Sequence, residues 1–169
     1  RELGPANGVL VTGDIAFSGR REEYQRAGEW LDQVTAAGAC EVTAVSVVPG
    51  NHDVDITQID FLGTLAHKEL RGAAPTEVDS ILEKIMKSDE SANPLLRKFA
   101  AYREFAARYG CDFESGNKPT WAKNSEFDDT NRLRFLGFNS GHSLIFRIRL
   151  VEWCWETRNT LFILPQARI

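Results

Sequence analysis

Apolar residues along this chain change their period in an ordered way. Val9, Leu10 and Val11, followed by Thr12, make a short unbroken apolar run, the pattern of a strand buried on both faces. Ser18-Gly19 then offers a cap, and Glu22 and Glu23 suit the first turn of a helix dipole. Tyr24, Ala27, Leu31 and Val34 fall three or four apart, which predicts an amphipathic helix running to about Ala37 with Gly38 as its stop. Residues 42–48 (Val-Thr-Ala-Val-Ser-Val-Val) are rich in β-branched side chains and predict a second strand.

Strand, helix, strand is a βαβ unit, and its right-handed crossover makes the strands parallel. As neighbours, their carboxyl ends lie about 4.8 Å apart in the sheet direction. The loops carrying Gly13-Asp14 and Gly50-Asn51-His52-Asp53 then leave from one sheet edge, where open α/β sheets bind ligands.

Beyond residue 57 the period becomes helical. Ile59, Leu62, Leu65 and Leu70 predict one helix, and Val78, Ile81, Leu82 and Ile85 a second. A third, after Pro94, carries Leu95, Phe99, Tyr102, Phe105 and Ala106. Residues 111–131 read as loop, and 132–138 alternate as a strand. Residues 57–131 therefore form a helical insert that leaves directly from the His52 loop, positioned to cap the site edge and set the substrate. Residues 145–150 also alternate, but the Trp153-Cys154-Trp155 cluster makes residues 141–159 read rather as a segment translated out of frame.

Composition narrows the class. The chain has 169 residues, 43% hydrophobic and 26% charged, enough for one globular domain. A net charge of −4 argues against a nucleic-acid scaffold. With no apolar run long enough to span a bilayer and no signal-peptide shape, the expectation is a cytoplasmic protein without a membrane partner. Cys40, Cys111 and Cys154 are widely spaced and outside any CxxC pattern, so they are expected to be reduced thiols. The chain opens at Arg1 and its single Met is Met86, so a piece of a longer protein is expected.

Residues 11–19 (Val-Thr-Gly-Asp-Ile-Ala-Phe-Ser-Gly) and 48–53 (Val-Pro-Gly-Asn-His-Asp) resemble two signature blocks of the calcineurin-like metallophosphoesterases. The likeness runs over residues 8–55, including Glu22-Glu23-Tyr24 and Trp30-Leu31, and more loosely over 132–140. It implies a two-metal hydrolase on a β-sandwich flanked by helices, with Mn, Fe or Zn ions. Asp14 matches the carboxylate bridging both metals, and Asn51 the oxygen ligand of the second. His52 matches the imidazole near the leaving oxygen, and Asp53 the carboxylate that orients it. The chemistry suits the residues. Two divalent ions about 4 Å apart activate a water and neutralise phosphoryl charge. Asn51 ligates without adding negative charge, and a histidine near its ordinary pKa can protonate an alkoxide.

The chain departs from that family pattern at both ends. The Asp-x-His block belongs before residue 8, and Gly141-His142-Ser143-Leu144 lacks the second histidine of the closing Gly-His-x-His. Asp14 and Asn51 are the only metal ligands retained, and two cannot fill a tetrahedral or octahedral site. The expected fold is α/β: a partial β-sandwich flanked by helices, opening on a parallel βαβ unit, as a single incomplete domain over residues 1–169. The expected function is that of a fragment of a metal-dependent phosphohydrolase, inactive alone, whose parent cleaves phosphomonoesters or phosphodiesters by metal-activated hydroxide. The alternative is a degenerate, non-catalytic domain with a binding or regulatory role. A nucleotide-binding α/β domain is disfavoured because no glycine-rich phosphate loop follows the first strand.

Other chemistry-bearing residues have plainer readings. His67 and His142 read as packing or surface, and Arg97, Lys98, Arg103 and Arg108 as a solvated helix face. Trp121 and Phe127 read as anchors of a long loop, with a substrate pocket as the sharper option.

Overall fold

The computed structural model of the chain describes residues 4–87, 93–113, 120–126 and 132–139. The architecture is mixed α/β, with one parallel and one antiparallel strand pair among these residues. Strands β1 (Val9–Val11) and β2 (Val45–Val47) pair in parallel, Val9 opposite Val45 and Val11 opposite Val47, with α1 (Arg21–Ala37) as the crossover. The expected βαβ unit and neighbouring strands are present.

Strand β2 is shorter than its pattern. Val42–Ala44 forms a 3-10 turn, because in this register those residues lie beyond the start of β1 and have no strand opposite. The backbone there satisfies itself locally, Ala44 N–H donating to the Glu41 carbonyl at 2.9 Å.

Helix α1 enters through Glu23, whose carboxylate accepts from the Ser18 N–H, the Ser18 hydroxyl and the Arg20 N–H, each at 3.0 Å. Arg20, not Ser18, holds the cap position, so the helix borrows its cap from its own first turn. Tyr24, Gly28, Leu31 and Thr35 face the core. At the far end Cys40 N–H reaches the Thr35 carbonyl at 3.1 Å and Ala39 N–H the Ala36 carbonyl at 3.2 Å, the two bonds of a Schellman cap. The left-handed residue of that cap is Ala39 (φ 49°), one place after the expected Gly38, which stays right-handed. Ala39→Gly is therefore expected to stabilise the protein by about 0.5–1 kcal/mol in urea titration, the relief of the Cβ penalty outweighing glycine's added unfolded-state entropy.

The helical stretch divides into two packing groups. Helices α2 (Phe61–Gly72), capped by Asp60 on the Gly63 N–H at 2.8 Å, and α3 (Val78–Met86) enclose a small cluster of Ala66, Leu70 and Leu95 with Val78, Ile81, Leu82 and Ile85. Helix α4 (Ala100–Ala107) instead joins the main core, where Tyr102, Phe105 and Ala106 pack with Tyr24, Leu31, Val45 and Val47. The later half of the insert is thus built into the body that carries the candidate site.

Residues 111–131, expected as loop, contain a strand. β3 (Thr120–Glu126) pairs antiparallel with β4 (Arg132–Phe138), Trp121 opposite Gly137. Its alternation hides because the less exposed positions are Trp121, Lys123 and Ser125, two of them polar. Trp121 lies over Gly137, where a Cβ would come within 2.1 Å of the indole. The anchoring role of Trp121 follows from its Nε1–H, which donates to the Val47 carbonyl at 3.0 Å. Val48 N–H bonds Val11, so the Val45 and Val47 carbonyls point away from β1 towards an open edge. Three side chains close that edge: Trp121 and the Tyr102 hydroxyl (3.2 Å) on Val47, and Lys123 Nζ (2.8 Å) on Val45.

The expected solvated cationic face is corrected at one position. Arg97 pairs with Asp60, Arg103 with Asp112 and Arg108 with Asp32, all partly exposed, but Lys98 is only 2% exposed. The 3-10 turn Arg97–Phe99 ahead of α4 breaks the helical phase, so Lys98 goes inward beside Phe99. Its Nζ sits 3.4 Å from Nε2 of His67, a buried packing residue of α2. Cys40 and Cys111 are free thiols. Phe127, His142, Cys154 and the segment 141–159 lie outside the described residues. Among the described residues no helix is long and apolar enough to cross a membrane.

Candidate functional site

The parallel register brings the loops after β1 and β2 into contact, and two glycines set how closely. A Cβ on Gly13 (φ 120°) would stand 2.9 Å from the Gly50 Cα. A Cβ on Gly50 would stand 2.2 Å from Asp14 Oδ1 and 2.4 Å from the Asp14 nitrogen. No other residue type fits at Gly50 without moving the Asp14 backbone. Asp14 itself is left-handed (φ 52°), a conformation aspartate tolerates better than most residues but still at a cost of about 1–3 kcal/mol. Its Oδ1 accepts the His52 N–H at 3.1 Å. The carboxylate expected as a metal ligand therefore touches the loop that carries Asn51, and both residues are exposed on the same sheet edge.

Asp53, which the resemblance makes the carboxylate that orients His52, turns inward. Its side chain is fully buried and accepts from Ile15 N–H (3.1 Å), Ala16 N–H (2.8 Å), Gly50 N–H (2.8 Å) and the Tyr24 hydroxyl (3.0 Å). Those donors come from the loop after β1, the loop after β2 and helix α1. Asp53 thus ties three elements together. Burial pushes its carboxyl above the ordinary 3.8, against the opposing pull of the four donors. Tyr24, read from sequence as a core residue of α1, is a missed member of the site's support. Its place in a stripe with Ala27 and Leu31, three and four residues apart in turn, is that of any apolar helix position, so only the hydroxyl hinted at more.

His52 is oriented by Phe17. Its Nδ1 lies 3.0 Å from the Phe17 carbonyl, which can only accept, so Nδ1 carries a proton. Nε2 is left as the nitrogen that can exchange a proton with a bound group. The two rings stack at 5.5 Å with 22° between planes. No sequence rule singled out Phe17, an apolar residue in a loop.

Asp14 and Asn51 are hard oxygen donors of the right kind for a divalent ion. Among the described residues no group of three His, Cys, Asp or Glu is placed to hold a metal. Asp14 and Asn51 fit as two donors of a divalent-metal centre. The apolar cleft between the two strand pairs, lined by Leu10, Val47, Trp121, Phe135 and Leu136, includes none of these residues. Comparison of the chain with protein-family models, curated proteins and solved structures found no match.

Proposed function

We propose that the Asp14–Asn51–His52 edge is part of a metal-dependent phosphohydrolase centre of the calcineurin-like type, cleaving phosphomonoesters or phosphodiesters, on a fold of the β-sandwich kind. The supporting observation is the contact between the Asp14 carboxylate and the His52 N–H, which sets a carboxylate, an amide and an imidazole on one sheet edge. Asp14 and Asn51 would hold divalent metal, which when bound supplies Lewis acidity and charge neutralisation. The remaining ligands come from outside the described residues. His52, with Nδ1 committed to Phe17, presents Nε2 to the leaving oxygen. Asp53 holds the loops that carry these residues.

The test is Mn²⁺ titration by calorimetry together with hydrolysis of bis-p-nitrophenyl phosphate, on this chain and on the protein encoded by its full open reading frame. The full protein is expected to bind two equivalents and turn over, and Asp14→Ala or Asn51→Ala to lose more than about 100-fold in kcat/KM. The 169-residue chain is expected to do neither. Turnover indifferent to Asp14→Ala sinks the proposal. A full protein that binds no metal and hydrolyses nothing assigns the edge to the non-catalytic alternative.

A further inference from the structure

We propose that Phe17 is a stacking platform beside this edge, so that the phosphate ester taken there carries a planar aromatic group, a nucleobase or an aryl ring. The phosphate half of that statement rests on the function proposed above; the stacking half rests on Phe17 alone.

Phe17 combines a fixed backbone with an exposed ring. Its preceding residue, Ala16, donates to Asp53 at 2.8 Å, and its following residue, Ser18, donates to Glu23 at 3.0 Å. Its own carbonyl accepts from His52 at 3.0 Å. Yet 78% of Phe17 is exposed. A single exposed apolar side chain is ordinary on a protein surface. One pinned on three sides and stacked on the histidine of a candidate site is preorganised, so little ordering remains when a ligand covers it. The imidazole contacts the ring, and most of the ring's surface stays in water. A sugar or alkyl phosphate would leave that surface wet. A planar aromatic group would cover it, and stacking of a base on an aromatic side chain is worth about 5- to 150-fold in affinity.

The experiment measures affinities by NMR titration of the protein encoded by the full open reading frame, with and without Zn²⁺. The ligands are adenosine 5′-monophosphate, phenyl phosphate, ribose 5-phosphate and adenosine. The ring-bearing phosphates are expected to bind about 5- to 150-fold more tightly than ribose 5-phosphate, with their ring protons shifted upfield. Phe17→Ala is expected to erase that preference and Phe17→Tyr to keep it. If adenosine 5′-monophosphate alone shows the preference, the ring is a nucleobase; if phenyl phosphate shows it equally, any aryl ester serves. Equal affinity for ring-bearing and ring-free phosphates, or a preference that survives Phe17→Ala, overturns the platform. Adenosine binding as tightly as its monophosphate in both metal conditions, and weakening in Phe17→Ala, leaves the platform standing and overturns the phosphate reading. No binding by any of the four overturns both.

Discussion

Replacing Asp53 with alanine is expected to lower the stability of the protein by about 3–5 kcal/mol, the cost of leaving several buried or half-buried donors without their acceptor. The change orphans the N–H groups of Ile15, Ala16 and Gly50 and the Tyr24 hydroxyl, and a buried donor left without an acceptor costs about 1–3 kcal/mol. The sum stays below four full penalties because Ile15 and Gly50 are only half-buried and water can reach them. Against a typical total of about 5–15 kcal/mol, that is a large share, equivalent to roughly 10 °C in Tm. Asp53→Asn keeps the shape but offers one acceptor oxygen and turns an NH₂ toward N–H donors, so an intermediate loss is expected. Tyr24→Phe, which removes one donor from the set, is expected to cost about 1 kcal/mol. The pH dependence has a definite sign. A carboxyl raised in the folded state contributes stability that is complete below the unfolded value of 3.8 and is lost as pH rises through the folded value. The advantage of the wild type over Asp53→Asn is therefore expected to narrow from pH 3.8 upward. Urea titration across that range checks both statements, and an Asp53→Ala loss under 1 kcal/mol would show that Asp53 does not tie the loops.

Which parts of this arrangement can be read from sequence follows from where the physics is local. The βαβ unit is legible because strand β1, the Tyr24–Leu31 stripe and the β-branched run of β2 each carry their own period, and crossover handedness then makes the pairing parallel. The meeting of Asp14 with the Asn51–His52 loop follows from that pairing. What decides the partners of each side chain is not local. Asp53 and His52 are adjacent in sequence, yet one turns inward to Ala16 and Tyr24 while the other stacks on Phe17. Nothing in the string Asn-His-Asp distinguishes those directions. Strand β3 is obscure for a related reason. Trp121 and Lys123 occupy its inward face because two open carbonyls of β2 need donors, a demand made by residues over 70 positions earlier. Lys98 is misplaced by the helical pattern because a single 3-10 turn shifts the phase.

Between pH 8 and 10.5 the wild-type protein is expected to gain stability relative to Lys98→Met, by up to about 3 kcal/mol. Burial pushes the Lys98 ammonium down from 10.5 to about 8, and the side chain is 2% exposed, so solvent screening takes little from the effect. Through that window the unfolded chain holds the proton and the folded chain has released it. Stability rises with pH wherever the unfolded state binds more protons, and the 2.5 units between 8 and 10.5 integrate to about 3 kcal/mol at 1.36 kcal/mol per unit. Below pH 8 the folded protein holds a buried charge at Lys98; above 10.5 it does not. Methionine cannot titrate, so its variant lacks the slope. Burial raises the hydroxyls of Tyr24 and Tyr102 and the thiol of Cys111 in both proteins, and their alkaline losses cancel in the difference. Urea midpoints at pH 7, 8, 9 and 10.5 give the curve, and a difference that stays flat across the window rejects the assignment. The effect reaches toward the candidate site. The Lys98 carbonyl accepts the Asp55 N–H at 2.9 Å, two residues beyond Asp53, so the turn that buries this lysine also braces the chain leaving the His52 loop.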